Sequence, residues 1–290
     1  VVERTFNPND KYPTAYIERK NMVYSYCDDG MYYFMDNETY DMIPVAEADL
    51  PDNFKFVKEN GVLPKTGAPS AEMFKEYFSD ILKSYDAVIH IGLSDKMTSA
   101  FANARIGAEE LKNVYLIDSM SLSSGIALLA LKCVEKVKQG KQPEQIVEEL
   151  NALRPYVQAS FLVDTLKYLH KGGRCSSLAL IGATILMLKP QISVINGEMK
   201  VTKKYMGGIN GCLKKYVEDM LKKSSPDLSV AFVTHSSPME ISSKICDRLR
   251  EYGFKQVYDV NASSTISSHC GPGTLGILFI NKIPETDANA

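Results

Sequence analysis

Charge of one sign is what this chain lacks first: 33 Lys and Arg stand against 35 Asp and Glu, a formal net charge of −2. Such a balance sets up no field able to gather nucleic acid or hold an anionic membrane surface. No apolar run reaches the roughly 18 residues that a membrane-spanning helix needs, so stable insertion is not expected. The six cysteines, Cys27, Cys133, Cys175, Cys212, Cys246 and Cys270, lie far apart without a CxxC pair. They read as reduced thiols of a cytoplasmic protein. The opening VVERTF carries neither a methionine nor an apolar signal core, so no secretory leader is expected. GxSxG, GxGxxG and the phosphate-binding P-loop are all missing. Nor does any pair among His, Cys, Asp and Glu have a metal-ligand spacing, so neither a metal nor a cofactor is expected. There is no internal repeat and no low-complexity linker.

What is present begins with size. A chain of 290 residues that is 45% hydrophobic can bury one large core or two modest ones. The usual domain size of about 100 to 150 residues favours two, with a cleft between them. Residues 1 to 60 differ from the rest. RKNMVYSYCDDGMYYFMDNETYDMIPV holds two Tyr-, Val- and Met-rich strand-like runs separated by the turn signal DDG, which predicts antiparallel β-structure.

The rhythm changes at Ser70. SAEMFKEYFSDILKSY puts Met73, Phe74, Tyr77, Phe78, Ile81 and Leu82 on one helical face, with Ser70 as N-cap. DAVIHIGL is a short, nearly continuous apolar run, as expected of a strand covered on both faces. A helix through Phe101 to Leu111, the strand NVYLID and the helix LSSGIALLALKCVEKVKQG follow. Strands alternating with helices predict right-handed crossovers and a parallel sheet. A further helix, Gln142 to Leu153, closes this domain. Beyond Arg154, VQASFLV reads as a strand, DTLKYLHKGG as a helix closed by glycine, and SVINGEMKV as a hairpin turning at Asn196 and Gly197. Helices around Leu213 to Lys222 and Met239 to Glu251 flank the strand LSVAFVTH. The fold class is α/β in two domains, a parallel sheet in the first and a mixed α/β arrangement in the second, behind a β-rich N-terminal segment.

Ligands of α/β sheets sit beyond the carboxyl ends of strands, and there this chain carries hydroxyls. Ser94, Thr98 and Ser99 follow IHIGL; Asp118 and Ser119 follow VYLID; Thr66 stands in KTGAPS before the first helix. Each loop fits ordinary capping or a turn, and each equally fits an anion held at a helix N-terminus. The recurrence of three such loops at one sheet edge favours the anion. Close to the end, HCGPG places His269 before Gly271, Pro272 and Gly273, a tight turn that brings backbone close to a partner. Its imidazole can hydrogen-bond a carboxylate. His90 lies inside an apolar strand as a core residue, while His170 and His235 fall at a helix end and a strand end.

These motifs together resemble the DegV family of bacterial fatty-acid-binding proteins, which includes the lipid-carrying subunit of fatty acid kinase. The resemblance runs over residues 61 to 290 through KTGAPS, IGLSDKMTSAFANA, YLIDSMSLSSG, TLKYLHKGGR, LMLKPQISVINGEM and HCGPGTLGILF. It implies a long-chain fatty acid held between two α/β domains, 61–155 and 156–290, by a protein that is not an enzyme. The carboxylate would then be bound by Thr66, Thr98 and His269, with Ser94, Ser99, Ser119, Gly271 and Gly273 in supporting loops. Thr98 stands where the family has serine, and Ser99 and Ala100 where it has glycine and threonine. Met206 occupies the position of an arginine that docks kinase-associated members, which implies a weakened kinase partnership. Residues 1 to 60 are instead similar to the middle, OB-type domain of bacterial elongation factor P. Two other functions compete with the lipid carrier: a Ser/His acyl hydrolase, and an OB-type ribosome-binding module.

Overall fold

The computed structural model describes residues 22–28, 31–36, 42–46, 66–174 and 188–284. The chain divides into two compact units, Val1–Val57 and Lys58–Ala290. The junction of the two resemblances at Asn60 and Gly61, and Cys175, lie outside the described residues.

In the first unit, β1 (Met22–Asp28), β2 (Met31–Asp36) and β3 (Met42–Ala46) form an antiparallel meander in the order β1-β2-β3. Asp28 pairs with Met31, and the register shifts between Tyr24 and Tyr26, a β-bulge.

The second unit contains two lobes. The first runs α1 (Ala71–Leu82), β4 (Val88–Gly92), α2 (Ala100–Ala108), β5 (Val114–Asp118), α3 (Ser124–Lys138) and α4 (Pro143–Leu153). Ser70 caps α1 by accepting from the Met73 amide at 3.3 Å. Only part of the expected apolar face is buried. Phe78 is fully buried, with Phe74, Ile81 and Leu82 packed around it, whereas Met73 and Tyr77 are 59% and 64% exposed. At about 100° per residue, 74, 78, 81 and 82 share one side of the helix, and 73 and 77 fall one step round it. β4 and β5 pair in parallel, Val88 opposite Val114 through Gly92 opposite Asp118. Their alternate residues enter two different helix layers: Val88, Val114 and Leu116 meet α1 and α2, while Ile89, Ile91 and Ile117 meet α3 and α4. His90 points into the first layer, 5.5 Å from the ring centres of both Phe74 and Phe78, and burial holds its pKa below the ordinary value.

The second lobe comprises β6 (Val157–Leu162), α5 (Lys167–Lys171), β7 (Leu188–Ile195), β8 (Glu198–Met206), α6 (Ile209–Lys223), β9 (Pro226–His235), α7 (Ile241–Tyr252), β10 (Gln256–Asn261), α8 (Ser264–Cys270) and β11 (Leu275–Asn281). Six strands form one mixed sheet in the order β10-β9-β11-β6-β7-β8, with β10 and β9 parallel and the remaining pairs antiparallel. The β7–β8 hairpin turns at Asn196 and Gly197, whose φ values of 52° and 81° are those of a type I′ turn. α6 and α7 bury Leu213, Tyr216 and Leu249 against Val233, Ile277 and Phe279. The opposite face receives α3: Leu128 packs on Ala159, Phe232 and Leu278, while the neighbouring Leu129 packs within the first lobe. Ser124 Oγ and Thr234 Oγ1, 2.7 Å apart, add a buried polar contact between the lobes. One helix thereby serves two cores and fixes the lobes to each other.

Candidate functional site

β11 is inserted between β9 and β6, so the short helix and turn that precede it are carried to the junction of the lobes. α8 begins at Ser263, whose Oγ accepts from the Ile266 amide at 3.5 Å, and ends at Gly271 with φ 76° and ψ 172°. His269 lies in its last turn. A Cβ on Gly271 would fall 2.1 Å from the Tyr168 ring, and Gly273, at φ 73°, stands against Asp164. Both positions require glycine: the backbone is left-handed in φ and the space is taken. Asp164 in turn pairs with the buried Lys189 Nζ at 2.6 Å. Ser236 Oγ donates to the Gly271 carbonyl at 2.5 Å and accepts from the Thr274 amide at 3.2 Å, while Ser237 Oγ accepts from the Gly273 amide at 3.2 Å.

His269 Nε2 lies 2.7 Å from Thr66 Oγ1, a contact that closes 203 residues of chain. Its other nitrogen, Nδ1, is buried without a hydrogen-bond partner among the described residues. A Cβ on Gly172 would lie 2.2 Å from that nitrogen, so the ring is seated directly on the KGG backbone. Burial, and then the positive charge of Arg174, hold the His269 pKa below its ordinary value. The ring is therefore neutral near pH 7. An unpaired buried N–H costs more than an unpaired ring acceptor, so the proton belongs on Nε2. His269 then donates to Thr66, and the threonine hydroxyl hydrogen is free to donate to an anion.

The other candidate hydroxyls, Ser99 apart, have assigned partners. Ser94, fully buried, donates to the Gly197 carbonyl at 2.7 Å and so ties the loop after β4 to the hairpin turn. Ser119, also fully buried, donates to the Ser121 carbonyl at 3.2 Å and accepts from the Ser121 amide at 3.1 Å. Thr98 Oγ1 accepts from the Ala100 amide at 3.2 Å, leaving its hydroxyl hydrogen available, while Ser99 is exposed and makes no side-chain capping bond. Asp118 Oδ1 accepts from the Met120 amide at 2.9 Å, and burial pushes its pKa up. His235 ends β9 and His170 lies in the last turn of α5, as read from the sequence.

Around these groups the apolar side chains continue without a break. Ile266 and Cys270, both on the helix of His269, belong to a cluster with Leu93 and Met97 of the β4 loop, Leu122 of the β5 loop, Phe161 of β6 and Ile192 of β7. Several members, Leu93, Met97 and Ile266 among them, are only partly buried. The arrangement offers neutral hydrogen-bond donors and one nearby cation to an anion, with apolar surface leading away from it. In the sequence the glycines of KGG are legible only as helix-closing residues and Arg174 only as the end of the KGGR run. Among the described residues no cluster of His, Cys, Asp and Glu could hold a metal ion.

The family model described as "Uncharacterised protein, DegV family" matches residues 34–282. The chain belongs to the DegV family. A DegV domain-containing protein of Caldanaerobacter subterraneus subsp. tengcongensis is 30% identical over 234 residues, which cover 79% of this chain and 82% of that protein. The solved structure of Bacillus subtilis DegV, described as a fatty acid binding protein, is 31% identical with a TM-score of 0.64, covering 76% of this chain and 79% of that one. A DegV family protein from Thermus thermophilus, whose structure is described by its fatty acid binding, is 25% identical with a TM-score of 0.71, covering 84% and 89%. The DegV match takes in Thr66, Thr98, Gly172, Arg174 and His269, and it reaches back to Phe34, within the N-terminal β-rich segment.

Proposed function

We propose that this DegV-family chain binds one long-chain fatty acid between the two lobes of its second unit, as a carrier and not as an enzyme. The observation that carries the reading is the Thr66–His269 pair beside the partly buried apolar cluster of Leu93, Met97 and Ile266. The Thr66 and Thr98 hydroxyls would donate to the carboxylate, with His269 beside them orienting Thr66 through its Nε2–H, and Arg174 would add favourable charge. The tail would lie along the apolar cluster. Burial of a saturated C16 chain is worth about 0.8 kcal/mol per methylene, so the tail supplies the affinity and the head group sets register. The relatives described as fatty acid binding support the ligand class.

The competing acyl hydrolase lacks its parts. Among the described residues His269 Nδ1 has no carboxylate to orient it, and its hydroxyl partner is the threonine of a loop. The neighbouring Cys270 thiol is pushed up to about 12 by burial, which leaves it protonated and unreactive. The further reading, that the bound acid is presented to a fatty acid kinase, meets an obstacle at Met206. It is 66% exposed at the end of β8 and offers neither charge nor forked donor to a partner.

Organic extraction of non-denatured protein followed by mass spectrometry should find a long-chain acyl group, and added palmitate should raise the melting temperature. Absence of both effects would remove the carrier reading.

A further inference from the structure

His269 stands in the last turn of a seven-residue helix, so its direction depends on how that helix is stopped. The stop is made of Gly271 and Gly273, residues with the widest conformational freedom, and it needs outside restraint to hold one shape. That restraint comes from the loop after β9, through the bonds of Ser236 to Gly271 and Thr274 and of Ser237 to Gly273. Ser237 is itself held from behind. His235 Nδ1 lies 2.8 Å from the Ser237 carbonyl oxygen, and because a carbonyl only accepts, Nδ1 is the donor. Nε2 of the same ring is 3.0 Å from Asp259 Oδ1 on the adjacent strand, and Asp259 Oδ2 accepts from Ser242 Oγ at 2.8 Å. The His235 ring is thus fixed at both nitrogens, and the residue is only 6% exposed.

We propose that His235 is a positioning residue for the carboxylate site: it holds Ser237, Ser237 holds Gly273, and the glycine turn so fixed aims His269 at Thr66. A ring needed only to end β9 would have no reason to be shared between the neighbouring strand and the loop that braces the turn. The affinity part of the proposal rests on the fatty acid reading above; the brace itself does not.

Two substitutions separate the two ring nitrogens. Asn in place of His235 keeps a donor at the reach of Nδ1 and loses the contact with Asp259, while Gln does the reverse. In the unliganded full chain, His235→Gln should accelerate amide hydrogen exchange at Gly273 and Thr274, and His235→Asn should leave it near the native rate. With a fluorescent long-chain fatty acid as probe, His235→Gln should weaken binding about three- to tenfold, the range for one lost neutral hydrogen bond. His235→Asn should stay within about twofold of native. Ser237→Ala should match His235→Gln, and the double variant Ser237→Ala, His235→Gln should be no weaker than either alone. Equal behaviour of the Asn and Gln variants in exchange, or native exchange at Gly273 in the Gln variant, overturns the proposal. If the native chain binds no probe, the carrier reading fails, and the exchange comparison still decides the brace.

Discussion

Gly172 and His269 meet so closely that a single methyl group could not be placed between them: a Cβ on the glycine would stand 2.2 Å from Nδ1. At φ −79° the backbone of Gly172 is open to any residue, so the requirement for glycine here is one of space. Gly173 is the opposite case, with φ 70° and no described residue within 4 Å of an added Cβ. Gly172→Ala should displace the His269 ring and weaken fatty acid binding tenfold or more on the order expected for a lost charge-assisted bond, with little change in melting temperature. Gly173→Ala should lower stability by about 1 kcal/mol and spare affinity. Probe displacement and thermal melting of the two variants side by side check this, and a loss of affinity confined to Gly173→Ala would refute the seat assigned to the ring.

Thr66→Val and His269→Ala should each weaken fatty acid binding by about 1 to 3 kcal/mol, the range for a hydrogen bond to a charged group. His269 acts on the carboxylate through Thr66, so the double variant should lose less than the sum. Calorimetric titration of the four proteins closes the cycle. Strict additivity would place the two residues in separate sites.

Burial lowers the pKa of both His90 and His269, so each is neutral in the fold. A depressed histidine pKa means that the unfolded chain binds more protons than the native one. Stability is therefore full above the ordinary value of 6.5 and declines as pH falls below it. The melting temperature of the unliganded protein should drop between about pH 7 and pH 5, and the drop should be shallower in His269→Gln. A melting temperature independent of pH in that range would contradict the neutral, buried rings.

Tyr216 is completely buried at the pairing of β6 with β11, where its hydroxyl donates to the Ser160 carbonyl at 2.7 Å and accepts from the Ile277 amide at 3.1 Å. Burial raises its pKa, so it stays a phenol throughout. Tyr216→Phe removes both of these bonds inside the core and should cost about 1 to 3 kcal/mol. Urea denaturation should show the loss as a lower midpoint, with fatty acid affinity unchanged.

Local pattern carried much of this protein. Ser70 capping α1, the NG turn of the β7–β8 hairpin, and the apolar runs that became β4 and β5 follow from dihedral preference and side-chain periodicity, which act within a few residues. The motifs around Thr66, Thr98 and His269 were legible for the same reason, since tight turns and helix starts leave compositional marks. Where the pattern is weak, local preference decides nothing. QVYDVN of β10 is largely exposed, and SSTISSHC of α8 has no apolar period, so neither element was foreseen. The exposure of Met73 and Tyr77, the seat of His269 on Gly172 and the charge of Arg174 beside it were decided only by tertiary structure. So was the meeting of Thr66 with His269, which depends on β11 entering between β9 and β6 and on α3 packing into both lobes. Those events join residues distant in sequence through burial of apolar surface, an interaction without direction along the chain, and no short-range pattern encodes its outcome.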